Sequence, residues 1–278
     1  MDNLFFDSDV SISLIKECNI LVMGYGNQGR AQALNLKDSG LNVTVALRKD
    51  SDTVEKVQKD GLKWINIEEG IENFDIISML IPDQVMGEVY SLYVERYLKA
   101  GQTLLFSHGY NIHYGEISPP RCVDVVMVAP SGPGYAVREE YKRGRGIPTL
   151  IAIKQDVSGN AKDTVLAYSK AIGGTRSCAF ESSFKEETET DLFGEQMILT
   201  GIIPRVIDES FKVLLEAGYS PTVSWFVSFY EVRQISELIS SMGIEEFYKA
   251  VSDAAEYGGF TRSDSLMNDG FKNEMKSA

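Results

Sequence analysis

Residues 19–36 read N-I-L-V-M-G-Y-G-N-Q-G-R-A-Q-A-L-N-L and carry the strongest fold signal of the chain. The apolar run 19–23 predicts a β-strand, which the first glycine interrupts. After the third glycine, Ala31, Leu34 and Leu36 recur near one face of a predicted helix. A strand, a glycine turn and a helix in this order are the setting of a dinucleotide-binding site.

The glycines of this turn have physical roles in nucleotide binding. The first two let the chain turn sharply and let a pyrophosphate approach the backbone, while the helix N-terminus supplies free N–H groups. A purely structural turn is the alternative interpretation. We predict cofactor contacts from all six residues of the turn, Gly24, Tyr25, Gly26, Asn27, Gln28 and Gly29.

Strand and helix patterns alternate up to about residue 180. Strands are predicted at 43–47, 75–81, 102–106, 123–128 and 149–153, and helices through 54–57, 84–98 and 161–172. The alternation predicts an α/β fold, with a doubly wound parallel sheet in a dinucleotide-binding domain of residues 1–182. Residues 183–278 show helical spacing, interrupted at Gly201–Pro204 and Gly218–Pro221, and predict a second, all-helical domain.

The composition argues against several classes of partner. Forty Asp and Glu against 27 Lys and Arg give a net charge of −13, which repels nucleic-acid phosphates and anionic lipid. No apolar run approaches the ~20 residues that cross a bilayer, and no signal peptide is visible. We expect a cytoplasmic protein with a small-molecule substrate, no nucleic-acid or membrane partner, and three free cysteines.

The loop after the second strand should contact the adenosine ribose of the cofactor. An acid there favours the 2′-hydroxyl of NAD, and a cation favours the 2′-phosphate of NADP. Arg48, Lys49 and Ser51 would suit a phosphate, whereas Asp50 and Asp52 would repel it. We predict contacts from Arg48, Ser51 and Asp52 and favour NAD, with NADP as the alternative.

An acidic stretch opens the helical half of the chain. Six Asp and Glu fall within residues 181–195, and Glu187, Asp191 and Glu195 recur every four residues. A solvated helix face is one interpretation. Apolar neighbours surround Asp191 and Glu195, however, and carboxylates in such surroundings need a partner. Carboxylate oxygens suit Mg²⁺, so we predict a magnesium site there.

The two histidines, His108 and His113, both follow the fourth predicted strand. A loop at the carboxyl end of a central strand opens onto the crevice where such sheets bind ligands. His108 is therefore a candidate catalytic and cofactor-contacting residue, although a structural histidine would show the same pattern.

Several motifs together resemble a known family. They are G-Y-G-N-Q-G-R-A-Q-A-L-N-L-K-D-S-G, F-S-H-G-Y-N-I-H, V-A-P-S-G-P-G, G-N-A-K-D and F-K-E-E-T-E-T-D-L-F-G-E-Q. In order and over nearly the whole chain, they resemble the short form of ketol-acid reductoisomerase. The resemblance implies a dinucleotide-binding domain, a helical C-terminal domain that is knotted in many members, two Mg²⁺, and a nicotinamide cofactor. The implied reaction is an alkyl migration in an acetohydroxy acid followed by hydride reduction.

The resemblance also implies roles for individual residues. Asp191 and Glu195 would be metal ligands, and Glu195 is also assigned to catalysis. Glu231 would be a metal or substrate carboxylate given by a partner subunit, and Ser252 would contact the substrate carboxylate. Shared sites imply at least a homodimer. His108 would lie beside the reacting centre, and with Pro82 and Gly134 it completes the predicted cofactor contacts.

Three departures from the family motifs fall at the predicted site. Ser131 replaces a lysine, Val227 a metal-binding glutamate and Tyr230 a histidine. We expect the second metal to bind more weakly because a ligand is missing, and we assign Ser131, Val227 and Ser252 to substrate contacts. The chain also ends before the family's last helices, so we expect a truncated domain without the full knot.

These departures shape the functional hypothesis. We expect a remodelled enzyme that acts on another small hydroxy or keto acid in secondary metabolism. Its nearest precedent is a divergent branch of the family that closes a cyclopropanol ring from a sulfonium-bearing acid in bacterial toxin biosynthesis. Glu231, freed from full metal duty, would transfer the proton. The alternatives are an ordinary ketol-acid reductoisomerase of branched-chain amino acid biosynthesis and a non-catalytic nucleotide-binding sensor.

Overall fold

The computed structural model describes residues 4–278. The chain divides into two compact units, Met1–Glu189 and Thr190–Ala278. Within the described residues, no helix combines the length and the apolar character that a membrane-spanning segment requires.

The first unit alternates strands and helices along most of its length. Its strands are β1 (Leu4–Phe5), β2 (Asn19–Met23), β3 (Asn42–Leu47), β4 (Lys63–Asn66), β5 (Ile76–Met79), β6 (Thr103–Phe106), β7 (Asp124–Pro130), β8 (Thr149–Gln155) and β9 (Ala179–Glu181). Its α-helices are α1 (Asn27–Asp38), α2 (Val54–Lys59), α3 (Asp83–Val89), α4 (Tyr110–His113), α5 (Gly134–Lys142) and α6 (Ala161–Ile172). A π-helical segment, Tyr90–Val94, extends α3.

The nine strands form one sheet in the order β1-β9-β8-β7-β6-β5-β2-β3-β4. The predicted α/β fold is confirmed, but the sheet is not parallel throughout, because β7 pairs antiparallel with β8 and β1 with β9. The helix between β7 and β8 packs on α1 instead of returning along the sheet. Strand β8 therefore enters from the opposite end. The short strands β1, β4 and β9 were missed by the sequence prediction.

Helices cover both faces of the sheet. On one face, Val22 and Val45 pack with α1 and with Tyr168 of α6. On the other face, Leu21 and Phe106 pack with Met86 of α3. Burial on both faces explains why the central strands read as continuous apolar runs instead of alternating patterns. The carboxyl ends of β2, β5 and β6 come to one edge of this sheet.

The helix α7 (Phe184–Phe193) begins in the first unit and ends in the second. The second unit is helical throughout, as predicted. After a π-helix at Gly194–Ile202 come α8 (Ile203–Glu216), α9 (Pro221–Trp225), a π-helix at Phe226–Tyr230, α10 (Glu231–Ala250), α11 (Asp253–Leu266) and α12 (Asp269–Ser277).

The two predicted interruptions of this unit have different outcomes. The break at Gly218–Pro221 is confirmed, because α8 ends at Glu216 and α9 begins at Pro221. The break at Gly201–Pro204 is wrong. The π-helix runs directly into α8, so Pro204 lies within a continuous helical segment and does not end it.

Candidate active site

The glycine turn joins β2 to α1 with a backbone that only glycine accommodates. Gly24 has φ of +91°, and a Cβ there would lie 2.8 Å from the carbonyl oxygen of Leu80. A Cβ on Gly29 would lie 2.5 Å from the Gly24 carbonyl oxygen. Among the described residues, no side chain caps the start of α1, where Gly26 and Asn27 are exposed. The turn therefore fits a pyrophosphate held by backbone N–H groups.

Tyr25 fixes the turn to the end of α2. Its hydroxyl donates to Asp60 Oδ2 at 2.8 Å, and Arg30 donates to the same carboxylate at 2.8 and 3.0 Å. The Arg30 hydrogen bonds lower the pKa of Asp60, and burial raises the pKa of Tyr25. Tyr25 therefore stays protonated, and its hydroxyl is held by Asp60. A cavity of about 470 Å³ opens beside this cluster.

The predicted ribose-contacting residues lie in the loop between β3 and α2. Arg48 and Asp52 are exposed, and Ser51 is half-buried with its Oγ accepting from the Thr53 backbone N–H at 3.3 Å. Charges of both signs therefore remain available to a cofactor.

Two further predicted cofactor residues lie at loops beside the turn. Pro82 lies in the short connection after β5 and immediately precedes the first turn of α3. Gly134 begins α5, and its α-carbon is packed so closely on the Asn27 carbonyl group that a Cβ would overlap it. Gln28 of the turn donates to the Gly132 carbonyl at 2.9 Å. The structure thus brings the turn and the loop after β7 together.

His108 stands at the carboxyl end of β6 and is held by a buried carboxylate. Its Nδ1 lies 3.0 Å from Glu187 Oε1, and Glu187 Oε2 accepts the Gly109 backbone N–H at 2.8 Å. Glu187 is only 5% exposed although it belongs to an acidic helix. The pairing fixes the orientation of the ring and leaves Nε2 as the outer nitrogen, as in histidines that serve reaction centres. Sequence reasoning did not assign Glu187 to the site.

The neighbouring carboxyl of Asp83 lies at the start of α3. Its Oδ1 accepts from the Asn111 amide at 2.8 Å, and burial raises its pKa, an effect that the nearby His108 opposes. The second histidine, His113, lies with Nε2 3.3 Å from Glu189. His113 thus pairs with a half-exposed acid, whereas His108 pairs with a buried one.

Of the predicted metal ligands, helix α7 carries Asp191. Its Glu187 and Asp191 follow each other by one turn, with carboxylate oxygens within 4.8 Å, and Asp191 is exposed. Glu195 is also exposed and lies one turn further on, just inside the π-helix that extends α7. Segments of π-helix occur frequently at functional sites. Carboxylate oxygens suit Mg²⁺, and Asp191 lies close enough to Glu187 to share a site, whereas Glu195 is not part of that group.

The remaining predicted residues occupy surface positions. In the first unit, Ser131 is exposed after β7, where its N–H donates to the Pro148 carbonyl at 2.8 Å. In the second unit, Val227 lies in a π-helix and is 49% exposed, and Glu231 begins α10 and is exposed. Ser252 caps α11, and its Oγ accepts from the Ala255 N–H at 3.3 Å. Glu231 is therefore open to solvent in this single chain.

Comparisons with known proteins agree along the whole length of the chain. Residues 14–178 match the family model described as "Acetohydroxy acid isomeroreductase, NADPH-binding domain", and residues 184–278 match "Ketol-acid reductoisomerase, C-terminal domain". The chain belongs to the ketol-acid reductoisomerase family. It is accordingly an enzyme of the oxidoreductase and isomerase type, and the non-catalytic sensor is not supported.

Individual relatives of this family are similar over almost the entire chain. The ketol-acid reductoisomerase (NADP(+)) of Pyrococcus abyssi is 46% identical over 273 residues, covering 98% of this chain and 82% of the relative. That of Methanocaldococcus jannaschii is 47% identical over 276 residues, covering 99% and 84%. The solved structure of an NADH-preferring ketol-acid reductoisomerase from an uncultured archaeon superposes with a TM-score of 0.92 at 39% identity, covering 99% and 84%.

The comparisons support some of the predictions about fold, reaction and cofactor and not others. They confirm the fold class and the family. They give no support to the cyclopropanol-forming branch, and identity near one half favours the ordinary reductoisomerase over a remodelled enzyme. The preference for NAD is unconfirmed, since the curated relatives are named for NADP(+) and the solved structure for NADH.

Proposed function

We propose that this chain is a magnesium- and nicotinamide-dependent reductoisomerase of a 2-hydroxy-3-oxo acid such as 2-acetolactate. The observation that carries the proposal is the pairing of His108 with the buried Glu187, one helical turn before Asp191. The reaction moves an alkyl group between neighbouring carbons and then adds a hydride and a proton to the resulting 2-oxo group. Similarity to family members over nearly the whole chain supports the assignment.

Each part of the proposed reaction can be assigned to particular residues. Asp191 and Glu195 would hold Mg²⁺, which when bound acts as a Lewis acid on the substrate oxygens. The glycine turn would hold the cofactor pyrophosphate through its N–H groups. His108, oriented by Glu187, would donate a hydrogen bond at the reacting centre. Glu231 would transfer the proton, and Ser252 would contact the substrate carboxylate, both in the site of a partner subunit.

A second candidate is a remodelled enzyme that keeps the fold, the nucleotide and the metal but carries out a different reaction on another small hydroxy or keto acid. Ser131, Val227 and Tyr230 stand where the family motifs have lysine, glutamate and histidine, so one cation and one metal ligand are replaced. Loss of a ligand weakens the second metal, and an apolar valine would favour a less polar substrate group. Ring closure of a sulfonium-bearing acid to a cyclopropanol is one reaction of this kind.

Turnover of 2-acetolactate distinguishes the two candidates. With Mg²⁺ and NADH or NADPH, we expect oxidation of the cofactor, monitored at 340 nm, and formation of 2,3-dihydroxy-isovalerate, identified by mass spectrometry. The control is the triple variant Ser131→Lys, Val227→Glu and Tyr230→His, which restores the motif residues. Activity only in the triple variant would contradict the ordinary reaction and favour the second candidate.

Cofactor preference is a separate part of the proposal. We favour NADH because Asp50 and Asp52 flank the cations of the ribose loop and would repel a 2′-phosphate. NADPH is the alternative suggested by the names of the curated relatives. The ratio of kcat/KM for the two cofactors in the same assay decides between them.

We also propose that the chain is a homodimer. Within Thr190–Ala278, all of it described, only Ser224 and Ser228 are buried, and no apolar side chain is. Val206 and Val213 of α8 are 58% and 60% exposed, and Trp225 and Val227 are about half exposed. Apolar surface of this extent marks an interface. A second copy is the proposed occupant because the site needs Glu231 and Ser252 from a partner.

Val213→Glu should therefore weaken the dimer. A charge placed on the apolar face of α8 loses the burial energy of valine and adds the cost of desolvating a carboxylate. We expect light scattering coupled to size exclusion to report a dimer for the wild type and a monomer for this variant. The adjacent exposed position supplies the control, Lys212→Gln, which should remain dimeric. A monomeric wild type would contradict the proposal.

A further inference from the structure

A chain of buried hydrogen bonds runs through the first unit beneath the proposed site. Tyr168 of α6 and Gln32 of α1 are both fully buried. The Tyr168 hydroxyl donates to Gln32 Oε1 at 3.0 Å and accepts from Ser78 Oγ of β5 at 3.0 Å. Burial raises the pKa of Tyr168, so the hydroxyl keeps the proton that it donates.

The side-chain amide of Gln32 continues these hydrogen bonds to two loops. Its Nε2 donates to Ser107 Oγ at 2.9 Å and to Gln28 Oε1 at 3.2 Å. Ser107 in turn donates to the Val128 carbonyl at 2.9 Å. Because Ser107 uses its proton on Val128, it can only accept from Gln32. The orientation of the Gln32 amide is therefore fixed by its partners on both sides.

The loops reached by this chain are the ones that carry the candidate site residues. Ser107 immediately precedes His108, and Gln28 belongs to the glycine turn. Gln28 in turn donates a hydrogen bond to the carbonyl of Gly132, which is next to Ser131. The amide side chains of Gln32 and Gln28 thus connect three separate segments of sequence.

We propose that Gln32 and Tyr168 are positioning residues that hold the cofactor turn in register with the His108 loop. The inference rests on the proposed function for its catalytic readout only. Buried networks with every donor paired are rigid, and a polar group left unpaired there is costly. Small displacements between a bound cofactor and a reacting group reduce rate steeply, since catalysis depends on their alignment.

Tyr168→Phe tests the role of the hydroxyl without removing the ring. It leaves Gln32 Oε1 without its donor, so the amide is held only through Nε2. A matched control exists in the same unit, because Tyr90 is also buried and its hydroxyl has no hydrogen-bond partner within the described residues. Tyr90→Phe removes an equivalent atom with no network attached to it.

We expect Tyr168→Phe to raise the dissociation constant for NAD(P)H and to lower kcat, each by about tenfold, the scale of one buried hydrogen bond. Tyr90→Phe should leave both values within twofold of wild type. Cofactor binding is measured by fluorescence titration, with the melting temperature recorded for each variant. Equal values of both constants for the two variants would overturn the proposal, even if Tyr168→Phe alone melted earlier.

A double-mutant cycle separates a connected network from two independent effects. Ser107→Ala removes a second partner of Gln32, and Ser107→Thr keeps the hydroxyl and should restore binding. In a connected network, Tyr168→Phe with Ser107→Ala should raise the cofactor dissociation constant by less than the product of the single effects. A full product would overturn the proposal. If wild type fails to convert 2-acetolactate, the proposed function fails, while cofactor binding still decides this inference.

Discussion

Asp191→Asn is expected to lower kcat for 2-acetolactate by roughly three orders of magnitude. The substitution preserves size but removes the charge of a proposed metal ligand. A metal ion supplies several kcal/mol of transition-state stabilisation, and about 4 kcal/mol corresponds to roughly a thousandfold in rate. Steady-state kinetics at saturating Mg²⁺ measure the effect. The cofactor dissociation constant should stay unchanged, because the glycine turn lies in a different part of the chain.

The control for this variant lies on the same helix. Glu189 is half-exposed, pairs with His113, and is two residues from Asp191, which places it on another face of α7. Glu189→Gln should keep kcat within threefold of wild type, about the scale of a surface charge change. A large loss in both variants would mean that the net charge of the helix matters and not the ligand. Unchanged turnover in Asp191→Asn would remove it from the metal site.

Glu187→Gln is expected to lower kcat by about 10–100-fold, the usual scale for a residue that orients a reacting or metal-binding group. The neutral amide can still accept from the Gly109 N–H, so the backbone contact survives. It no longer offers a negative charge to His108, which loses the partner that fixes its ring. The KM for the substrate should change less than kcat, because His108 acts at the reacting centre.

The pH dependence of kcat provides an independent readout for Glu187. Loss of a carboxylate beside an imidazole destabilises its protonated form. The limb of the profile that reports His108 should therefore move to lower pH in Glu187→Gln. Glu186→Gln, an exposed neighbour on the same helix, should leave the profile in place. Identical profiles for wild type and Glu187→Gln would contradict the proposed coupling.

The sequence predicted what depends on local spacing. The strand, turn and helix at residues 19–38 could be predicted because the whole signal lies within one short, continuous segment of sequence. Strand β4 was missed because its edge position leaves it only half-buried, without a clear apolar run. The direction of β8 was also beyond reach, since it depends on where the preceding helix packs and not on the residues of the strand.

The candidate site shows the same division. His108 was found from its place after a central strand. The role of Glu187 was not found, because its partner is 79 residues away and the spacing shows only an acidic helix. The predicted break at Gly201–Pro204 failed because the π-helix continues into α8 through Pro204, which a local glycine and proline signal does not show. Roles of Glu231 and Ser252 remain predictions that require a partner subunit.

The most direct test of this account is a calorimetric titration of Mg²⁺ into the cofactor-saturated protein and into its Asp191→Asn variant. We expect saturable binding by the wild type and at least a tenfold loss of Mg²⁺ affinity in the variant. Losses of this size follow when residues that support a bound metal are replaced. Matching isotherms for the two proteins, or no saturable binding by either, would contradict the claim that helix α7 holds the catalytic metal.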